Sequence, residues 1–554
     1  MSETFFVVGP PGTGKTTYLS RQARRAAEQH GPDSVVIASL TRAAAAEIAG
    51  RDTGIPPDAV GTLHAHCYRA LDRPALAETG DGIKAWNAAH PGHAISGSHR
   101  QLEDAPDAGP GDGSAGDDVH AQIMALRAGM VPRERWTLAQ RSHDADWTRF
   151  KTDTGRLDFT DLIERVLAED RAHPFAPEVL LLDEAQDFSR LELELVRCWS
   201  RHAGTTVIVA DPRQALYTWR GADPRAMAAL ADTEPRVLSQ SHRVPRAVHA
   251  AAEAWVSRLS DHRDFVYAPR EVDGATMQTE LSLRNGERLA EHITGLLEEH
   301  DGTVMVLASC GYMLAPLIDA LRDHGIPFHN PYRLADGRWN PMRGAGRLRA
   351  YLAADERVHG NAARAWTWDD LRRWTEPLSA REALPRGAKA RIEHACMPNR
   401  YGETRAHDEV PLETVLDLLG ITPGSMRHPA LHGDAEWWFR HLRASEKRKH
   451  EFALQVLRKG GPGALAAEPR VIVGSIHSVK GGEASRVLVA PDLSPQGYWH
   501  GWHAGGEGRD SIVRMLYGAL TRARETVTLL SPSGAEHVHG ELREACAVAG
   551  AVAA

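Results

Sequence analysis

A chain of 554 residues with 42% hydrophobic and 25% charged content has the balance of an ordinary globular protein, and its length predicts about three to four domains. The net charge of −8 does not mark a general nucleic-acid binder, although a local basic groove can hold phosphates on an acidic protein. Five cysteines, at 67, 198, 310, 396 and 546, form no Cys-x-x-Cys pair, which argues against a structural zinc or iron–sulfur site and for a reducing compartment.

No run approaches the ~18 apolar residues a membrane helix needs. The first apolar run leads straight into a glycine-rich loop instead of a leader peptide, so a cytoplasmic protein without a membrane partner is expected. That run, Phe5–Val8, precedes Gly9-Pro10-Pro11-Gly12-Thr13-Gly14-Lys15-Thr16-Thr17, and a helix is predicted over about Lys15 to Gln29. The pattern Gly-x4-Gly-Lys-Thr between a buried strand and a helix is a phosphate cradle. Its glycines let backbone N–H groups wrap an anion, and the helix directs its positive dipole end at the same charge. Lys15 is expected to reach the β- and γ-phosphates of a nucleotide, and the Thr16 hydroxyl to ligate Mg2+.

Further strands are predicted at Val35–Ala38, Val179–Leu182, Thr206–Val209, Thr303–Ala308, Val471–Gly474, Arg486–Val489 and Thr526–Leu530, alternating with Ala/Arg/Leu-rich helical sequence. This order predicts an α/β chain. The rhythm lapses over about 67–151, around the acidic, loop-like stretch Glu103 to Asp118, and again over about 353–465, where Trp366, Trp368, Trp374, Trp437 and Trp438 gather. Two α/β cores, each interrupted by a mostly helical insertion, is the simplest organisation. The basic stretch Arg440–Lys449 reads as a solvated helix face, with duplex DNA contact as the alternative.

The strand Val179–Leu182 ends in Asp183-Glu184-Ala185-Gln186-Asp187. Adjacent acids at a strand end can divide two roles: Asp183 as a Mg2+ ligand and Glu184 as the group that polarises an attacking water.

Taken in order, the remaining motifs resemble those of superfamily 1 helicases of the UvrD/Rep (PcrA-like) group, in a compact form. They are Ser39–Ile48, Gly61–His66, Leu157–Leu162, the DEAQD strand, Val207–Ala222, Leu238–Arg243, Ser475–Glu483 and Arg514–Ala523. The resemblance implies two RecA-like P-loop domains with parallel sheets: 1–66 with 152–262, and 263–352 with 466–554. Residues 67–151 and 353–465 would be their insertions.

It further implies that Gln214 senses the γ-phosphate or water, because an amide both donates and accepts. Arg243 and Arg522 would act as arginine fingers. Glu483 would face the ribose, and His242 stands where a base-stacking tyrosine is usual. Eight residues precede Gly9 in this sequence, so the group's adenine-reading segment is not expected ahead of the loop. Tyr217, Trp219 and Arg220 form an aromatic–basic cluster suited to stacking unpaired bases, core packing being the alternative. Thr41, Arg42, Thr62, His64 and His477 would contact DNA phosphates or sugars.

The implied activity is ATP- and Mg2+-dependent 3′-to-5′ DNA unwinding on single strands and single/double-strand junctions. The alternatives are a single-strand translocase or motor subunit in a repair, recombination or phage-defence complex, and a non-catalytic DNA-binding scaffold. From the Ala-rich sequence after Arg522 no nuclease domain is expected, so DNA cleavage would be expected to come from a partner.

Overall fold

The computed structural model describes residues 3–41, 45, 48–51, 53–96, 116–230, 234–333, 337–379, 382–398, 402–422, 424–425, 427–548, 550 and 552–553. Arg42 and most of the acidic stretch after Glu103 lie outside the described residues. The chain divides into two units, Met1–Glu280 with Leu307–Met313 and Gly474–Ala554, and Leu281–Val306 with Leu314–Val473.

The first unit holds a six-stranded sheet of β1 (Glu3–Val8), β2 (Val35–Ser39), β3 (Val60–Thr62), β4 (Val179–Asp183), β5 (Thr205–Ala210) and β6 (Arg236–Val237). Their order is β3-β2-β4-β5-β1-β6, and every pairing is parallel. β2 and β4 are buried on both faces, as parallel strands covered by helices must be. The helix Lys15–His30 packs Leu19, Ala23 and Ala26 into a core with Val7, Ile37, Leu181 and Val209. Register aligns Val8 with Ala210 and Leu182 with Ile208, so the loops after β1, β4 and β5 leave the same carboxyl edge. That edge is where open parallel sheets bind ligands.

The first unit also contains the strands Ala484–Val489, Ala523–Leu529 and Ala275–Gln278, which pair in parallel in that order. Trp255 donates its indole N–H to Val513 O at 2.9 Å, and Ser260 N donates to Asp510 Oδ1 at 3.0 Å. The segment from Gly474 onward is therefore hydrogen-bonded to the sequence around 255–260. The helices Asp117–Ala128 and Leu138–Thr154 pack around Trp86, Ile123, Trp147 and Phe150, and Arg127 of the first pairs with Asp158 and Asp161 at the start of the helix Phe159–Ala168.

In the second unit, Phe328–His329 pairs in parallel with the strand at Val471 and Ile472. The tryptophan concentration forms a core: Trp374 lies 5.0 Å from Tyr351 and 5.1 Å from Trp366, ring to ring. Trp438 closes it by donating to Trp374 O at 2.9 Å. In the basic stretch, Arg443 pairs with Glu376 at 2.7 Å and Lys449 with Glu446 at 2.8 Å.

Candidate nucleotide-hydrolysis site

The loop after β1 is built for an anion. Gly12 and Gly14 take φ values of 73° and 79°, a left-handed conformation that turns successive N–H groups inward. Gly12 is also tightly enclosed, since a Cβ there would lie 2.5 Å from Arg243 Cβ and 2.7 Å from Ser241 Oγ. The loop is braced from outside. Pro11 O accepts from Ser241 Oγ at 2.9 Å and from the Tyr267 phenol at 2.8 Å, and Gly12 O accepts from His242 N at 2.8 Å. These bonds fix the backbone carrying His242 and Arg243 against the cradle. Thr13 Oγ1 donates to Pro10 O at 2.8 Å, and Lys15 Nζ donates to Gly9 O at 2.9 Å. Thr16 and Thr17 occupy the first helical turn, where Thr17 Oγ1 accepts from Arg51 Nη1 at 3.1 Å.

The acids of β4 stand beside this loop. Burial, reinforced by the Glu184 charge, pushes the Asp183 carboxyl up to about 7. Burial alone would raise Glu184 as well, but Lys480 and Lys15 outweigh it and hold that group at about 2. Glu184 also has φ 55°, an uncommon conformation for a side-chain-bearing residue. Its Oε2 accepts from Gln186 Nε2 at 2.7 Å and faces Lys480 Nζ at 3.0 Å. Gln186 Oε1 accepts from Asp211 N at 3.0 Å, and Asp211 Oδ2 accepts from Gln214 Nε2. One relay thus runs from Glu184 through Gln186 and Asp211 to Gln214.

Asp183 is buried and Glu184, 23% exposed, follows it, so two neighbouring carboxylates offer a cation oxygen ligands. Among the described residues no group of three or more His, Cys, Asp or Glu could hold a metal alone. Thr16 lies in the first turn of the helix Lys15–His30, and Asp183 ends β4.

Arg243 Nε lies 2.6 Å from Glu483 Oε2, and the other oxygen of Glu483 accepts from Arg524 Nη1 at 2.5 Å. Arg522 is buried and donates to Gly482 O at 3.3 Å. The arginine expected on the γ-phosphate is thus paired with the acid expected on the ribose.

The residues expected to face DNA divide into two groups. His64 Nδ1 and Arg220 Nη2 converge on Glu192 Oε1, at 3.8 and 3.4 Å, and Glu192 is itself almost wholly buried. Thr62 Oγ1 caps the helix Leu63–Ala70 by accepting from Ala65 N at 3.2 Å. Thr41 follows the end of β2. Trp219 is 36% exposed, whereas Tyr217 is 2% exposed and lies 6.2 Å from Trp219 and 6.3 Å from His477, ring to ring. In this structure Trp219 is the ring open to solvent and Tyr217 the ring beneath it.

Sequence reasoning assigned no role to Gln186, Glu192, Tyr267 or Lys480. Lys480 sits inside a quoted motif, so its position was visible although its partners were not.

Residues 1–220 match the family model described as AAA domain. The ATP-dependent DNA helicases Rep of Salmonella typhimurium and of Escherichia coli are each 30% identical to this chain over 129 residues. That stretch is 22% of this chain and only 18% of either relative, so the similarity spans less than a fifth of the relatives' length. With the ordered motifs, these matches support a UvrD/Rep-like superfamily 1 helicase.

Proposed function

We propose that this UvrD/Rep-like chain is an ATP-dependent motor that tracks along single-stranded DNA, in the 3′-to-5′ direction, and unwinds duplex ahead of it. The observation that carries the reading is the continuous polar connection from Glu184 through Gln186 and Asp211 to Gln214, three residues before the Tyr217–Arg220 segment. Hydrolysis and strand contact are thereby wired to one short stretch of backbone.

In this reading the Gly9–Thr17 loop and Lys15 bind the phosphates, and Thr16 and Asp183 hold Mg2+. The metal, when bound, neutralises charge on the β- and γ-phosphates. Glu184 orients and polarises the attacking water, and Gln214 reports the γ-phosphate to the DNA-facing segment. Arg243 and Arg522 stabilise charge on the transferring phosphoryl group, which requires Arg243 to exchange Glu483 for phosphate. Glu483 and His242 then face the ribose and base. Trp219 stacks on an unpaired base, a contact worth about 1–3 kcal/mol. Arg220, His64, Thr41, Arg42, Thr62 and His477 hold the sugar–phosphate backbone.

The division into two motor domains, 1–66 with 152–262 and 263–352 with 466–554, is part of this proposal, as are the insertions 67–151 and 353–465. A single-strand translocase that powers a partner nuclease uses the same residues. ATP turnover measured with and without single-stranded DNA, followed by strand-displacement and translocation assays, tests the reading. DNA stimulation that is lost in Trp219→Ala, with basal turnover retained, supports it. An unstimulated wild-type ATPase refutes it, and translocation without displacement moves the assignment to the translocase.

A further inference from the structure

Lys480 carries an ammonium group into a nearly closed environment, with 12% of its side chain exposed. A buried cation persists only where partners replace its hydration. Lys480 has two, Glu184 Oε2 at 3.0 Å and Asp187 Oδ2. Burial would lower its pKa, but Asp187 and Glu184 outweigh that and raise it well above the usual lysine range. The ammonium also lies 5.3 Å from the centre of the Tyr217 ring, within cation–π distance.

Asp187 extends the connection. Its other oxygen, Oδ1, accepts from Leu216 N at 2.8 Å and from Tyr217 N at 3.2 Å. The acid expected to orient water and the backbone expected to bear the strand therefore share one lysine, with Asp187 as the second link. A shift of the 216–219 backbone must carry Asp187 with it or break two buried hydrogen bonds. Lys480 must then follow Asp187 or lose one of its two carboxylate partners. Where Asp187 and Lys480 follow the backbone, what Glu184 Oε2 faces changes. This path is separate from the one through Gln186 and Asp211, and it enters from the far end of the chain.

We propose that Lys480 is the positioning residue that couples strand occupancy at the Tyr217–Trp219 segment to Glu184. The inference rests on the DNA-stimulated hydrolysis proposed above and adds the residue through which stimulation acts.

The test measures ATP turnover of the full chain with and without an oligothymidylate strand, together with affinity for that strand. In Lys480→Met the ratio of stimulated to basal turnover falls about tenfold, a typical coupling magnitude, while strand affinity changes less than about threefold. Lys480→Arg, which keeps the charge, recovers most of the ratio. Asp187→Asn cuts the same link from its other end and lowers the ratio likewise. If Lys480→Met does not fold, the double variant with Asp187→Asn removes both buried charges and is expected to show the same loss.

An unchanged ratio overturns the proposal. So does an equal fall of basal and stimulated turnover, which marks a residue needed for chemistry or folding instead of coupling. A wild-type chain without stimulation overturns the motor reading and this inference together. It is told apart from failure of the inference alone, in which wild type is stimulated and Lys480→Met equally so.

Discussion

Asp158 is a residue whose loss the fold should tolerate poorly. It is fully buried, and one oxygen, Oδ2, accepts from Arg127 Nη1 at 2.7 Å, Lys151 Nζ at 2.5 Å and Trp147 Nε1 at 2.9 Å. The other oxygen caps the helix Phe159–Ala168 by accepting from Asp161 N at 2.7 Å. Asp158→Asn keeps the shape and the cap but turns an amide N–H2 toward three donors. Breaking a buried ion pair costs about 3–5 kcal/mol. Asp161 and Glu164 still face Arg127, which places the cost near the lower end, about 3 kcal/mol. At about 2–4 °C per kcal/mol for a region of this size, the melting transition should fall by about 6–12 °C. Hydrogen exchange should quicken first in the helices Asp117–Ala128, Leu138–Thr154 and Phe159–Ala168. Glu164→Gln, at a side chain 43% exposed, should cost less than about 1 kcal/mol.

The sign with pH is also fixed. Burial opposes ionisation of Asp158, but Arg127 and Lys151 hold its folded carboxyl far below the ordinary range. Its contribution is therefore fully present above the unfolded pKa of about 3.9 and is lost as pH falls below it. Asp161 works the other way, raised by burial and by the Asp158 charge, so the informative quantity is the difference between wild type and Asp158→Asn. That difference should shrink as pH falls from about 5 toward about 2. A melting shift under about 2 °C at neutral pH, or a difference independent of pH, refutes the account of the cluster.

Two further predictions concern the hydrolytic site. Glu184→Gln should lower ATP turnover by about 10²–10⁴-fold, with nucleotide affinity within a few-fold, because it removes the carboxylate proposed to polarise water and keeps the shape; turnover within about tenfold of wild type would reassign the role. Gly12→Ala must adopt a left-handed backbone costing about 1–2 kcal/mol and also displace Arg243, so nucleotide affinity measured by titration should fall about tenfold or more, and unchanged affinity would show that the loop does not close on phosphate as described.

The strands that can be read in advance are mostly runs of four or more β-branched and apolar residues, and those of β2 and β4 are buried on both faces. Val179–Leu182 and Val35–Ala38 lie inside β4 and β2, and the predicted Thr526–Leu530 overlaps the observed Ala523–Leu529. Val60–Thr62 and Arg236–Val237 carry no such signal, because strands of two or three residues are defined by the neighbour that pairs with them. The same distinction applies at the site. Lys15, Asp183 and Glu184 lie in contiguous motifs whose local geometry is encoded by the loop and strand around them. Glu192 is the third helical residue of an ordinary amphipathic pattern, and only folding brings it to His64 and Arg220. Tyr217 and Trp219 are two residues apart with similar chemistry, and sequence offers no means of telling which ring is covered.

A common feature of the reactive groups explains why the missed residues matter. Lys15 donates to Gly9 O, Gln214 to Asp211, Arg243 pairs with Glu483, and Glu184 pairs with Lys480. Each of these four side chains, all expected to act at the nucleotide, already has an internal partner, which a bound nucleotide must displace. Binding energy is therefore partly consumed in rearrangement, and affinity should lie below what a sum of contacts would suggest. The exchange also supplies direction. Arg243 cannot serve the phosphate while it is held by Glu483, and Glu483 cannot serve the ribose while it holds Arg243, so one event frees both. Lys480 imposes the corresponding condition on Glu184, and its second partner, Asp187, is fastened to the backbone of Tyr217. The nucleotide can release the first pair by its own contacts. The second pair answers to the segment expected to grip DNA, which is the arrangement a motor needs if it is to hydrolyse only when a strand is present.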